Sequence, residues 1–286
     1  MSGKICVVTG ASSGIGKATA LALARRGAVV GLVCRDRAKG EDVVRELSEK
    51  TGNRTIDLLI CDLSFQRDVR CLAKIISKKY KHLHVLINNA GAMFPRRVES
   101  FEGIEMSLAV NHLAPFLLTN LLLDKLRAAG KARIINVNSD AHEKGKIDLE
   151  DIQMQRHYPY GIGMRAYANA KLANLLTVCE LARRLRSSDV TINAVHPGYV
   201  ATNILQFDAS TGPVRLFKPL WILAKQFILT PEQGAATPVF LACSPLVADT
   251  SGLYFERCAP AASSAASRDP NLQRRLWDVS EQLTQG

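Results

Sequence analysis

Apolar positions along this chain fall into two alternating patterns. Short, nearly continuous apolar runs stand at 4-KICVVT-9, 28-AVVGLVC-34, 55-TIDLLICD-62, 83-LHVLINN-89, 132-ARIINVNS-139 and 190-VTINAVH-196. Such runs predict strands buried on both faces. Between them, apolar residues recur at helical spacing near 14–26, 37–50, 66–79, 101–127 and 164–187. A further helix is expected to start near Pro231. Regular β-α alternation of this kind predicts an α/β fold, a doubly wound parallel sheet with helices on both faces and ligands at the carboxyl ends of the strands. No linker or short repeat divides the chain, so residues 1–286 are expected to form a single domain. The stretch 259-APAASSAASRDP-270 reads as a surface loop leading to a last helix, 271-NLQRRLWDVSEQL-283, with Leu272, Leu276, Trp277 and Leu283 available to dock on the body.

Composition changes this picture little. With 47% hydrophobic and 22% charged residues, the chain should be soluble and globular. The opening MSGKICVVTG turns directly into a strand, so no signal peptide is expected, and no stretch reads as an uninterrupted transmembrane helix. Together these predict a cytoplasmic protein. The seven cysteines are scattered and without a C-x-x-C pair, as expected of reduced thiols, and no cluster with the histidines suggests a metal site. The net charge of +11 is spread over helix faces such as 77-SKKYK-81 and 182-ARRLR-186, without the interleaved aromatics of a nucleic-acid platform. No nucleic-acid partner is expected.

The candidate chemistry begins at the first β-α junction, 9-TGASSGIGKA-18. Gly10, Gly14 and Gly16 lie between a strand and a helix, where glycine permits a tight turn and lets backbone N–H groups approach a pyrophosphate. The T-G-x3-G-x-G spacing resembles the short-chain dehydrogenase/reductase family. The family's other marks follow in order: 88-NNAG-91, Asn111, Ser139, Tyr167 with Lys171, and 197-PG-198. The segments 34-CRDRAKGE-41, 108-LAVNHLAPFLLTNLLLDKL-126, 167-YANAKLANLL-176 and 195-VHPGYVATN-203 resemble the retinol dehydrogenase and carbonyl reductase branch. The membrane-bound members of that branch carry an N-terminal apolar anchor, which this sequence does not show, so membrane localisation is not carried over.

The resemblance implies a Rossmann-type fold of about seven strands and a nicotinamide cofactor. It places Gly10, Ser12, Ser13, Gly14, Ile15 and Gly16 at the pyrophosphate, Asp62 and Leu63 at the adenine, and Asn89, Ala90 and Gly91 along the ribose. Pro197, Gly198, Val200 and Thr202 match the nicotinamide-side loop. At the end of the second strand, where an NAD enzyme carries an acid for the ribose, Cys34 is followed by Arg35. A guanidinium suits a 2′-phosphate, so the expected cofactor is NADP(H), with Lys17 as a further positive charge. Asp36 complicates the reading. His196 reads as a strand-end residue rather than a catalyst.

Tyr167 and Lys171 lie one turn apart on a single helix face. Tyr167 is expected to be the general acid toward a carbonyl oxygen, with the Lys171 charge lowering its pKa. The resemblance gives Lys171 a second role on the nicotinamide ribose, Ser139 a hydrogen bond to the carbonyl oxygen, and Asn111 a water that links Lys171 to solvent. Between Ser139 and Tyr167 the chain is expected to form a loop beside the substrate, with His142, Tyr160 and Met164 as neighbours to test, each read first as a surface or packing residue.

The segment 204–229 mixes Leu, Ile, Phe and Trp with Arg215, Lys218 and Lys225. In this family it forms a substrate lid, and an apolar lid implies a lipophilic aldehyde, ketone or alcohol: retinal-like, steroid, polyketide or quinone. Its 214–229 part also has the composition of a peripheral membrane contact. The alternatives are a protochlorophyllide reductase-like enzyme, against which Tyr199 stands where that enzyme has cysteine, and a non-catalytic NADPH-binding regulator, which would be expected to lose one of Ser139, Tyr167 or Lys171. Many family members pair through the helices equivalent to 101–127 and 164–187, which makes a homodimer or homotetramer an expectation from resemblance.

Overall fold

The computed structural model describes residues 1–156, 158, 163–200 and 229–285. Six strands form within the apolar runs: β1 (Ile5–Thr9), β2 (Val29–Cys34), β3 (Ile56–Ile60), β4 (Val85–Asn88), β5 (Ala132–Val137) and β6 (Val190–His196). Two short strands, β7 (Tyr254–Glu256) and β8 (Ala259–Ala261), complete an eight-stranded sheet in the order β3-β2-β1-β4-β5-β6-β7-β8. All pairings are parallel except that of β8, which runs antiparallel to β7 at the edge. The sheet therefore has one strand more than expected. Residues 259–261 read as loop in the sequence because a three-residue edge strand containing Pro260 carries no alternation to detect.

The helices are α1 (Gly14–Ala24), α2 (Arg37–Thr51), α3 (Gln66–Lys79), α4 (Met106–Arg127), α5 (Met164–Arg184), α6 (Pro231–Cys243) and α7 (Pro270–Leu283). Alternate residues of each central strand feed opposite layers. Val7, Leu86, Ile134 and Ile192 pack with Leu72 and Ile76 of α3, Leu118 of α4 and Leu175 and Val178 of α5. Cys6, Val8, Leu32, Ile87 and Val195 pack on the other face with Leu23 of α1, Leu47 of α2 and Leu241 of α6. The near-continuous apolarity of the strands is thus the consequence of two covered faces.

At 22 residues, α4 is long and apolar enough to cross a membrane by length and composition, contrary to the expectation that no stretch would be. Of its most apolar window, 67% is buried inside the protein, and its packing against the sheet, α3 and α5 accounts for the composition. The C-terminal helix docks as its apolar positions predict. Leu276 joins Leu172 and Leu176 of α5, while the Trp277 ring lies 4.8 Å from that of Phe116 in α4 and beneath the Arg184 guanidinium at 4.2 Å. Part of the α4–α5 surface is therefore covered by the chain's own α7.

Candidate active site

The strand order reverses between β1 and β4, which opens a crevice at their carboxyl ends. Gly10 enters it with a left-handed φ of 65°. A Cβ at Gly10 would lie 2.8 Å from Ala90 Cα, and one at Gly16 would lie 2.3 Å from Gly10 O and 2.4 Å from Asn89 Nδ2. Asn89 in turn donates through Nδ2 to Thr9 O at 2.8 Å, and the N–H groups of Asn89 and Ala90 both donate to Thr9 Oγ1 at 3.0 Å. The first glycine turn and the Asn89–Gly91 segment are thus one backbone-packed unit. Ser13 takes the N-cap position of α1 without a capping bond from its hydroxyl. The first-turn N–H groups face the crevice without a side-chain acceptor from Ser13, the arrangement that suits a phosphate. The residues present fit a dinucleotide.

Arg35 stands exposed directly after β2 and, among the described residues, makes no ion pair. Asp36 has a different task. It caps α2, accepting from Lys39 N at 3.2 Å, and its other oxygen lies 3.6 Å from Lys39 Nζ. The hydrogen bond from the Lys39 backbone, with the Lys39 charge, holds its carboxyl below the usual range. Lys17 is paired with Glu46, which also binds Lys50, so the further positive charge expected at Lys17 is neutralised within α1 and α2. Asp62 is engaged through Oδ1 by the N–H and hydroxyl of Ser64, at 2.9 and 2.7 Å, and Leu63 packs half-buried on the core.

After β6, residues 197–200 approach the start of α6. Gly198 has φ 83°, and a Cβ there would lie 2.5 Å from Leu229 Cδ1. Leu229 N donates to Tyr199 O at 2.7 Å, and Val200 and Leu229 form a parallel bridge, pinning the two sides of the 201–228 segment together. A Cβ at Gly234 would meet both Val200 and Ile15, so these two residues, one from each side of the crevice, come together at the start of α6. Thr202 and Tyr160 lie outside the described residues, as do residues 204–228 of the expected lid.

Helix α5 starts at Gly163, where φ is 72° and a Cβ would lie 1.8 Å from Phe94 O. One turn later it buries Tyr167, and a further turn on Lys171, at 5% and 3% exposure. Lys171 Nζ lies 5.5 Å from the centre of the Tyr167 ring and donates to Val137 O at 2.9 Å. Burial pushes the Tyr167 phenol up to about 12, opposed by the Ser139 hydroxyl and reinforced by the Asp140 carboxylate. Burial likewise draws Lys171 down to about 8. The ammonium is aimed at the Val137 carbonyl, and desolvation of the phenol dominates.

Ser139 follows β5 and caps a short turn of helix at Asp140–Lys144, accepting from Ala141 N at 3.2 Å and donating to Asp140 Oδ1 at 3.0 Å. The other Asp140 oxygen accepts from the Tyr199 hydroxyl. His142, one of the neighbours to test beside the substrate, is a wholly buried packing residue, with Nδ1 2.7 Å from Ser139 O. Met164 opens α5 and is 42% exposed.

Asn111 sits in a π-helical turn, Ala109–Leu113, of α4. Its Nδ2 donates to Ala92 O and Ser107 O, at 2.8 and 2.9 Å, and its Oδ1 accepts from Ala92 N at 3.0 Å. Its carbonyl accepts from Asn174 Nδ2 at 3.0 Å. Behind Asn174 runs a buried amide chain: Asn136 donates to it at 3.2 Å, and Asn88 donates to Asn136 at 2.8 Å. Sequence reading passed over Asn136 and Asn174. The available signal was a polar residue inside a run otherwise apolar.

Residues 4–150 match the short chain dehydrogenase family. The chain is also 45% identical to human retinol dehydrogenase 11 over 97% of its own length and 85% of that protein. This chain belongs to the short-chain dehydrogenase family. Among solved structures, the dehydrogenase resembles a putative uncharacterized protein from Mycobacterium paratuberculosis, with TM-score 0.80, 33% identity, and 99% and 94% of the two chains covered. It also resembles a 7α-hydroxysteroid dehydrogenase complexed with NADH and 7-oxo glycochenodeoxycholic acid, with TM-score 0.70, 25% identity, and 89% and 92% covered. As a member of this family the protein is an oxidoreductase acting on CH–OH and C=O groups with a nicotinamide cofactor.

Proposed function

We propose that the protein is an NADP(H)-dependent oxidoreductase that interconverts a lipophilic aldehyde or ketone and its alcohol. The observation that carries this reading is the division of labour at the end of β2: Asp36 is consumed as a helix cap while Arg35 is exposed and unpaired among the described residues. A neighbour solved with NADH shares the fold, so the choice of cofactor falls to these side chains. A permanent, forked cation matches a 2′-phosphate. The lipophilic substrate class rests on the apolar 204–229 segment and on the similarity to retinol dehydrogenase 11.

When bound, the nicotinamide supplies or accepts the hydride. Tyr167 gives its proton to the carbonyl oxygen. Its raised pKa keeps the phenol protonated at neutral pH, the form reduction needs. Ser139 turns its hydroxyl from Asp140 to the same oxygen and steadies the charge that develops there. Lys171, titrating near 8, lies against the Tyr167 ring and Gly91, where it can hold the ribose and return a proton to the phenol. Asn111 fixes the Ala92 backbone beside them.

The test is absorbance at the nicotinamide band with NADPH and NADH in parallel, against hydrophobic aldehydes, ketones, steroids and quinones. NADPH oxidation that falls by about 10²–10⁴ in Tyr167→Phe is the expected result. Preference for NADH would overturn the role of Arg35. NADPH binding without turnover across the panel would overturn the enzymatic reading.

A further inference from the structure

Two buried histidines connect the C-terminal part of the chain to residues of the proposed reaction centre. The Ser264 N–H donates to His142 Nε2 at 3.2 Å. That nitrogen is therefore unprotonated, and Nδ1 carries the proton and donates it to Ser139 O at 2.7 Å. The imidazole is a rigid spacer between the C-terminal strand-and-loop segment and the backbone of Ser139. It is fully buried and lies 4.8 Å from the Tyr254 ring of β7. Ser264 is itself anchored in a small knot, with Ser267 bonding Ser263 Oγ at 2.8 Å and Ser264 O at 2.7 Å.

The second link follows the same logic. Ser280 Oγ donates to Leu276 O at 2.7 Å, so its single hydrogen is used within α7. His112 Nε2, also 2.7 Å from that hydroxyl, must be the donor. His112 adjoins Asn111 within the π turn of α4 and is 1% exposed. Each contact lands within three residues of a group placed in the reaction centre, on a short 3-10 or π-helical turn rather than regular α-helix or strand.

We propose that residues 259–285 are part of the catalytic apparatus, setting the positions of Ser139 and Asn111 through His142 and His112, which act as positioning residues. This rests on the reading of Ser139, Tyr167 and Lys171 as the reaction centre. Displacement of a catalytic group by about 1 Å costs on the order of a hundredfold in rate. The imidazole bond adds to the two backbone bonds that hold Ser139, from His142 N to Ser139 O at 3.2 Å and from Ser139 N to Asn138 Oδ1 at 2.8 Å, and is the only link among these that reaches the C-terminal segment.

The variants are His142→Phe, which removes both bonds, His142→Asn, whose amide can still donate to Ser139 O, and Ser280→Ala. Each is assayed for kcat and KM in carbonyl reduction, for NADPH affinity by fluorescence, and for amide exchange of 138–145 and 109–113. In His142→Phe, kcat is expected to fall by about 10- to 100-fold with NADPH affinity unchanged, and His142→Asn should recover most of the loss. Ser280→Ala should lower kcat several-fold, about 3–5-fold, and speed exchange in 109–113. Wild-type kcat in soluble His142→Phe, or no recovery in His142→Asn, overturns the proposal. If His142→Phe does not fold, Ser280→Ala decides by the same two readouts. If the wild type reduces no carbonyl, it is the reaction-centre reading that has failed. The exchange arm then still judges the clamp: protection of 138–145 lost in His142→Phe and kept in His142→Asn supports it, and equal protection in all variants refutes it.

Discussion

At the carboxyl end of β1, Gly10 and Gly16 leave no room for a Cβ, and every restraint on the turn comes from backbone or from Thr9 and Asn89 next to it. At the carboxyl end of β5 the opposite holds. Ser139, Tyr167 and Lys171 are full-sized polar side chains, two of them almost wholly buried, and Ser139 is held by its neighbours Asp140, Ala141 and His142, the last braced in turn by distant Ser264. One flank of the crevice binds by being close-fitting backbone. The other acts by holding ionisable groups where water would not leave them. The first costs little stability and tolerates no added atoms. The second tolerates atoms but holds groups that would be more stable elsewhere.

The largest test of that contrast is Lys171→Met. Burial draws Lys171 from an ordinary 10.5 to about 8. A base whose pKa falls on folding binds fewer protons in the native state between those two values, so native stability rises with pH across that window and the full penalty is present below it. The shift corresponds to about 3 kcal/mol. Some of that is offset by loss of the Val137 hydrogen bond. Lys171→Met should therefore be inactive yet more stable by roughly 1–3 kcal/mol at pH 7 in urea unfolding, with the gain shrinking from pH 8 toward pH 10.5. A less stable variant at pH 7 would mean that the ammonium is well solvated or well paired in the native state.

Gly16→Ala probes the other flank. The new methyl would meet backbone, Gly10 O at 2.3 Å, and cannot be relieved by a side-chain rotation there. The expected loss is about 1–3 kcal/mol of stability, with NADPH affinity down at least about tenfold by fluorescence titration. Wild-type affinity in a folded Gly16→Ala would show that the turn relaxes freely, and the contrast between the flanks would collapse.

The same contrast explains which parts could be read in the sequence. The glycine turn is local, so its spacing between a strand and a helix marks it. Asn89–Gly91 and the Tyr167–Lys171 pair are equally short, and became legible through their ordered resemblance to the family, since a Tyr and a Lys one turn apart read alone as a solvated face. The six long strands were legible because both faces are covered, leaving apolar runs. His142 was not, since its partner Ser264 lies 122 residues away and nothing in 139-SDAHEKG-145 marks it as buried. His112 and Ser280 are 168 residues apart. The pairing of Lys17 with Glu46 and the capping role of Asp36 are likewise matters of helix placement, and they altered the reading of the cofactor edge in opposite directions: one cation removed, one acid explained.

The most selective expected effects lie at that edge and separate its two adjacent charges. Arg35→Ala removes a charged hydrogen-bond donor from the proposed 2′-phosphate site. Such bonds contribute about 1.5–3 kcal/mol, so NADPH affinity should fall by about 10- to 100-fold while NADH binding stays as in the wild type. Asp36→Ala removes only the cap that accepts from Lys39 N. It should lower Tm slightly and leave the NADPH-to-NADH ratio where it was. If instead Asp36→Ala weakens NADH binding selectively, the carboxylate reaches the ribose despite its position at the head of α2, and the edge serves both cofactors. If Arg35→Ala weakens both cofactors equally, the guanidinium is reading the part that the two share, and the 2′-phosphate must be met by another group.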